Sequence, residues 1–237
     1  DGTPRIELNA KFPCSDAFEV QLPVWRPGRY EKANFGRYVY SMRGQLEDGT
    51  WRDLKKTGLH RWQVPENTTA IRWVFFADLF NAGSTGASND LLYINPVNCF
   101  LYHPDHSDWR YEIDLMDVPS DWQVATGLSC TNGLLQARDV QHVMDSPILA
   151  ASALTHTQYE SNGIPFHIWV YGNNQPDSEK FKQDHAAFTD SQIAHFGSFP
   201  TDCYHFMYLL PEREVRHGVE HEDTTVIALG PSLKSQS

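Results

Sequence analysis

The sequence has no CxxC pair, no apolar run long enough to span a bilayer, and no excess of positive charge. Each absence removes a class of function. The four cysteines, Cys14, Cys99, Cys130 and Cys203, are too sparse for a disulfide scaffold and wrongly spaced for a zinc knuckle. They are expected to be isolated thiols of the core. The longest compact apolar stretch, residues 71–80, is interrupted by Arg72 and Asp78, so no membrane-spanning helix is expected. The formal charge is −11, from 19 Lys and Arg against 30 Asp and Glu. Such a surface repels phosphate backbones and anionic lipids, which argues against nucleic acid and membrane as partners. It tolerates cationic ligands such as peptide amines, although solubility accounts for it equally well. The Gly-rich segment 81–90 contains neither GxGxxG nor GxxxxGK, so no phosphate role is assigned to it. Nor does any His-Glu-x-x-His occur among the eleven histidines. No signal-peptide pattern opens the chain, and Asp1 rather than methionine stands first. The start is therefore expected to be a processed boundary. The cytoplasm is the preferred compartment, with a periplasmic or secreted location the alternative if a signal peptide has been removed.

What is present is a β-rich globular composition. The 237 residues are 41% hydrophobic and 13% aromatic, enough for one large domain or two smaller ones. Phe18, Val20 and Leu22 alternate with polar neighbours, the period-2 pattern of a half-buried strand. Tyr38, Tyr40 and Met42 do the same, as do Ile71, Trp73 and Phe75, and Tyr111, Ile113 and Leu115. Asp48-Gly49 and Ser161-Asn162-Gly163 are hairpin turns between such runs. Many short strands with turns between them predict an antiparallel β-sandwich over residues 1–172. Residues 81–90, small and polar, read as a mobile loop.

The character changes after Gly172. Asn173-Asn174-Gln175-Pro176 resembles a linker, and Asp177 or Ser178 can cap a helix with Glu179 in its first turn. Phe181, Phe188 and Phe196 then fall on one helical face, with Ile193 at its margin. Gly197 and Pro200 supply the stop. Residues 204–210, a charged turn at Glu212-Arg213-Glu214 and residues 215–229 are β-rich again. The expected fold class is mainly β: an antiparallel sandwich, then one helix and a β-ribbon over 173–237.

Within the ribbon, His217-Gly218-Val219-Glu220-His221 matches the inverted zinc-protease motif H-x-x-E-H. That chemistry needs both histidines one helical turn apart. Gly218 weakens a helix, and Val215, Val219, Thr224, Thr225, Val226 and Ile227 prefer strands, so a ribbon is expected instead. The other close histidine pair, His103-Pro104-Asp105-His106, reads as a solvated turn.

Gly218-Val219-Glu220-His221, followed by Thr224-Thr225, resembles the Gly-Gly-Leu-Glu-His…Ser-Thr segment of the glycyl aminopeptidase family of zinc metallopeptidases. Leu22-Pro23-Val24-Trp25-Arg26-Pro27-Gly28-Arg29-Tyr30, with Phe35, Arg37 and Val39, resembles that family's Pro-x-Trp-x-Pro-Gly-x-Tyr…Phe-x-Arg-x-Val signature, and Asp145-Ser146-Pro147 resembles another recurring segment. The resemblance implies that residues 173–237 open a thermolysin-like catalytic domain. It implies zinc in the full-length parent, where a zinc-activated water cuts the peptide. No zinc and no catalytic residue are expected within this chain, which lacks the zinc helix and should be inactive alone.

The substrate-binding residues implied are Glu220, Gly218, Val219 and His221. Glu220 would hold the free α-amino group of the peptide, and the backbone at Gly218 and Val219 would align the substrate as an added strand. His221 would orient Glu220 or line the pocket. His217 stands where the family carries a glycine, which bears on which first residue fits. Trp25, Tyr30 and Arg37 are read as structural. The expected partners are the N-terminus of a peptide substrate and the C-terminal catalytic region. The rival readings are a sandwich that binds peptide or carbohydrate on an exposed aromatic face, and a peptidase homologue without catalysis.

Overall fold

In the computed structural model, which describes residues 2–25, 32–173 and 175–231, the alternating segments form strands whose apolar positions share one face. Thr68–Phe76 shows the rule: Ile71, Trp73 and Phe75 are buried, while Arg72 and Phe76 lie on the other side. It is an inner strand of an antiparallel sheet ordered Arg5–Ala10, Thr68–Phe76, Val39–Leu46, Trp51–Asp53. A second sheet, ordered Phe18–Gln21, Arg61–Val64, Lys55–Lys56, shares a core with it through Val20, Trp62, Val64, Ile71 and Trp73. Burying each such side chain contributes about 1.5–3 kcal/mol. The indole N–H of Trp73 donates to the Cys99 carbonyl at 2.8 Å, so its polar edge is also satisfied. This pair of sheets is the expected sandwich.

Two further sheets continue the stack. One is ordered Tyr111–Ile113, Leu134–Ala137, Ser129–Thr131, and the other Gln123–Ala125, Ile148–Ala151, Leu91–Ile94, Gly86–Ala87. Two short helices, α1 (Pro96–Cys99) and α2 (Val140–Met144), fill the core around Phe75, Ile94 and Val143. Within residues 81–90, expected to be a mobile loop, residues 81–87 are buried or half-buried and residues 88–90 are exposed. Ala82 and Thr85 are buried, the Tyr93 hydroxyl donates to the Ala82 carbonyl at 2.7 Å, and Gly86–Ala87 is a strand. Small side chains here permit close packing rather than motion.

The last sheet has five strands, ordered Leu154–Ser161, Ile164–Gly172, Tyr204–Leu210, Thr224–Leu229, Arg216–Glu220. The turn at Asn162-Gly163 has φ of 52° and 79°, the positive values a tight hairpin needs. The third helix, α3 (Ser178–Phe196), connects Ile164–Gly172 to Tyr204–Leu210, and those two strands pair in parallel, as do Tyr204–Leu210 and Thr224–Leu229. Parallel neighbours need such a crossover. The sheet differs from the expected division after residue 172, because its hydrogen bonds join Leu154–Gly172 to the later strands. Its one face packs on α3 through Phe166, Ile168, Val170 and Phe206. Its other face packs on the preceding sheet through Tyr93, Leu149, Met207, Leu209 and Val226.

Helix α3 begins and ends as its sequence predicts. Asp177 accepts from the Lys180 amide at 2.9 Å, and Gly197 closes it with φ 83°. Its buried face is different from the expected one. Contact follows the four-residue ridge Phe181, His185, Thr189 and Ile193, with His185 Nε2 2.7 Å from the Tyr208 hydroxyl. Phe188 and Phe196 are 51% and 74% exposed. Spacing identified a shared face of the helix but not how far the sheet extends beneath it.

Two smaller expectations also change. His103 is buried, not solvated: its ring stacks on Phe18 with centroids 5.3 Å apart and meets His106 at 4.6 Å. The turn itself is present, with the His106 amide donating to the His103 carbonyl. All four thiols are free, but only Cys99 is buried, and burial pushes its thiol up to about 12. Cys14 and Cys203 are half-buried and Cys130 is exposed. No helix among the described residues is long and apolar enough to cross a membrane.

Candidate functional site

From His217 to Glu220 the segment is strand, not helix, as its β-branched neighbours predicted, and His221 directly follows the strand. Arg216–Glu220 lies at the edge of the five-stranded sheet and pairs antiparallel with Thr224–Leu229: His217 opposite Ala228, Gly218 opposite Ile227, Val219 opposite Val226, Glu220 opposite Thr225. Four residues of strand separate the two histidines by roughly 13 Å, too far for one metal ion. Among the described residues, no group of three or more His, Cys, Asp or Glu could hold a metal ion.

The pleat decides which residues stand together. Val226 and Ala228 are fully buried against the preceding sheet, so their partners Val219 and His217 share that inner side. His217 Nδ1 lies 3.1 Å from Asn81 Oδ1 there. Gly218 and Glu220 occupy the opposite side and are exposed. The position of His217 therefore separates it from the face that carries Glu220. Of the four expected binding residues, Gly218 and Glu220 are brought to one face, and Val219 and His221 turn away from it.

Beside Glu220, the Tyr204 and Thr225 hydroxyls are 2.6 Å apart. Burial raises the Tyr204 phenol above its ordinary value, the Thr225 hydrogen bond opposes this, and Glu220, Asp223 and Asp145 raise it further. The surroundings are thus negative, suited to a cation and unsuited to a carboxylate or phosphate. Gly218 is not demanded by the fold, since a Cβ there would meet only the Val226 carbonyl, at 3.9 Å.

His221 is held inside. Its side chain is 5% exposed, and Nδ1 lies 2.8 Å from Asp145 Oδ1. A carboxylate accepts only, so Nδ1 carries the proton. The Glu222 amide donates to Asp145 Oδ2 at 2.9 Å, and Glu222 pairs with Arg138 at 2.7 Å. Sequence reasoning singled out Asp145-Ser146-Pro147 without giving it a role, and it missed Tyr204 and Thr225. The spacing of hydroxyls on neighbouring strands carries no signal until their register is known.

The Trp-x-Pro-Gly-x-Tyr segment falls largely outside the described residues, from Arg26 to Tyr30. Trp25 is exposed, and Phe35–Arg37 forms a short 3-10 helix. The outer face of the first sheet does carry aromatics, as a binding module would need. However, the Arg5 guanidinium lies 4.4 Å from the Tyr40 ring centroid and 5.2 Å from that of Phe76, and Arg72 lies 4.4 Å from that of Trp51. Arginine thus stacks on these rings, while Tyr40 stays 61% exposed.

Stacked sheets followed by a helix and an edge ribbon are a fold that this chain shares with a solved protein. The structure aligns with the aminopeptidase N family protein from Idiomarina loihiensis at a TM-score of 0.84 and 21% identity, over 98% of this chain and 41% of that one. The chain thus spans about two fifths of that protein. A second, looser alignment is to the M1 zinc metallopeptidase from Deinococcus radiodurans, with TM-score 0.44 and 15% identity over 94% of this chain and 55% of that one. A search of curated proteins finds no match. Residues 3–152 match the peptidase M61 N-terminal domain, and the chain belongs to that family. The match stops just before Leu154, where the five-stranded sheet begins.

Proposed function

We propose that this chain is the amine-reading part of a zinc aminopeptidase of the glycyl aminopeptidase type, with residues after the M61 domain opening a thermolysin-like catalytic region. The observation that carries the reading is the placement of Glu220: an exposed carboxylate on the outermost strand of the sheet, on the same face as a glycine the fold does not require. An extended peptide would pair with that edge as an added strand. Its terminal ammonium would meet Glu220, and a blocked amine would not, so cleavage is confined to the first residue. Gly218 keeps the approach of the peptide backbone clear. The described residues do not furnish zinc ligands, so no chemical step is assigned to them. The bond-breaking groups belong to the catalytic region of the parent protein.

The test compares a free-amine aminoacyl anilide with its N-acetyl counterpart in the zinc-loaded parent enzyme. Glu220→Gln should lower kcat/KM for the free amine about 100-fold, the loss typical of a desolvated charge pair, and leave the N-acetyl rate almost unchanged. Equal effects on both substrates would refute the reading. The 237-residue chain alone should show neither turnover nor stoichiometric zinc; finding both would place the catalytic centre within it.

A further inference from the structure

We propose that Asp145 is a positioning residue for Glu220, its carboxylate acting as a latch on the turn that follows the ribbon strand. The proposal rests on the reading of Glu220 given above and adds what holds that carboxylate in place.

Among the described residues, the edge strand Arg216–Glu220 pairs with one strand, Thr224–Leu229. As the outermost strand of a five-stranded sheet it is held by a single ladder, and an edge that must accept a substrate strand gains from a second anchor. The anchor comes from 76 residues away in sequence. Asp145 follows α2, where its own amide donates to the Gln141 carbonyl at 3.1 Å. Next to it, the Ser146 hydroxyl donates to the His142 carbonyl at 2.6 Å, fixing the same helix end. From that position the two carboxylate oxygens divide the work. Oδ1 accepts from His221 Nδ1 at 2.8 Å and Oδ2 accepts from the Glu222 amide at 2.9 Å. Within the turn, the His221 amide donates to the Thr224 carbonyl at 2.7 Å. Arg138, just before α2, ties down the Glu222 side chain.

Only an ionised carboxylate accepts at both oxygens. Asparagine keeps one acceptor and turns a donor toward the other N–H. The two residues bound, His221 and Glu222, directly follow Glu220. Their alternation puts His221 on the inner face, where it can be gripped, while Glu220 stays on the outer face. The latch thus holds the backbone at Glu220 without occupying the space a substrate needs. It also accounts for the joint presence of the Asp145-Ser146-Pro147 and Gly-x-Glu-His segments, which meet in this contact.

The experiment combines amide hydrogen exchange and ring-nitrogen NMR on the full chain with kinetics on the zinc-loaded parent. In the unmodified chain the His221 ring should carry its proton on Nδ1. Asp145→Asn should speed exchange of the Glu222 amide about 10-fold or more, the loss of a charge-assisted hydrogen bond. It should also lower the ratio of free-amine to N-acetyl kcat/KM about 10-fold while the N-acetyl rate holds. His221→Asn places a donor where Nδ1 stood and should retain most of the ratio, whereas His221→Ala should lose it. Unchanged exchange at Glu222 in both D145N and D145A, the second of which removes both acceptors, would overturn the latch. Faster exchange with an unchanged ratio, in an enzyme whose ratio collapses in E220Q, would overturn positioning and leave the amine reading intact. A ratio untouched by E220Q would overturn both, whatever the exchange data show.

Discussion

The sheets formed before Leu154 and the five-stranded sheet after it treat their surfaces differently. In the first sandwich, Trp62, Trp73 and Phe75 are buried, and the outer rings of Tyr40, Phe76 and Trp51 each stack with an arginine. Packing accounts for the buried rings. In the later sheet, α3 packs over the strands carrying Phe166, Ile168 and Phe206. The ribbon edge keeps an exposed carboxylate and an unforced glycine. The lesson is a way of finding a site: look where the identity of a residue is not explained by what it touches.

That contrast can be broken. The largest expected effect lies in the first sandwich. Trp73→Ala removes a buried ring and the donor to the Cys99 carbonyl, and should cost about 3–5 kcal/mol in denaturant unfolding. A loss below about 1 kcal/mol would mean that this core is not what holds the sandwich together.

A pH titration probes the later sheet. His156, His167 and His205 form a row across three strands. His156 Nε2 lies 2.9 Å from His167 Nδ1, His167 stacks on His205 at 4.8 Å, and the Trp169 indole donates to His205 Nδ1 at 3.1 Å. Cys203 Sγ lies 3.6 Å from His205 Nε2, and the Asp223 carbonyl accepts from the His205 amide. Burial, then the neighbouring His167 and His156, lower His205 from 6.5 to about 4. The folded state therefore binds this proton less readily than the unfolded chain. Stability is unaffected above about 6.5 and falls as the pH drops toward 4, by about 3 kcal/mol. His205→Phe should flatten that dependence between those limits; an unchanged slope would assign the acid sensitivity elsewhere.

The smallest expected stability effect is at the ribbon. Gly218→Ala should shift stability by no more than about 0.5 kcal/mol, because the space beside it is open. It should still impair use of free-amine substrates. A large loss of stability would show that the glycine serves the fold, and the contrast between the two regions would weaken.

Much of the architecture was legible because its signals are local. Period-2 alternation marked strands such as Thr68–Phe76, and the caps of α3 were readable at Asp177 and Gly197. The ribbon was legible through its β-branched residues, whereas the role proposed for Glu220 rests on a resemblance covering a few positions. Three things were not legible: the parallel pairing around α3, the packing of residues 81–87, and the exposure of Phe188 and Phe196. Each depends on which surface arrives opposite, and a helical or strand period does not encode that.

The sequence by itself determined where the chain extends, turns and coils, since backbone preference and side-chain period act over a few residues. Tertiary structure alone decided the faces of the ribbon. Pairing with Thr224–Leu229 over a buried layer sends His217 inward and leaves Glu220 outside. Tertiary structure alone also brought Asp145 to His221 across 76 residues, a contact that exists only once sheets from both regions have stacked.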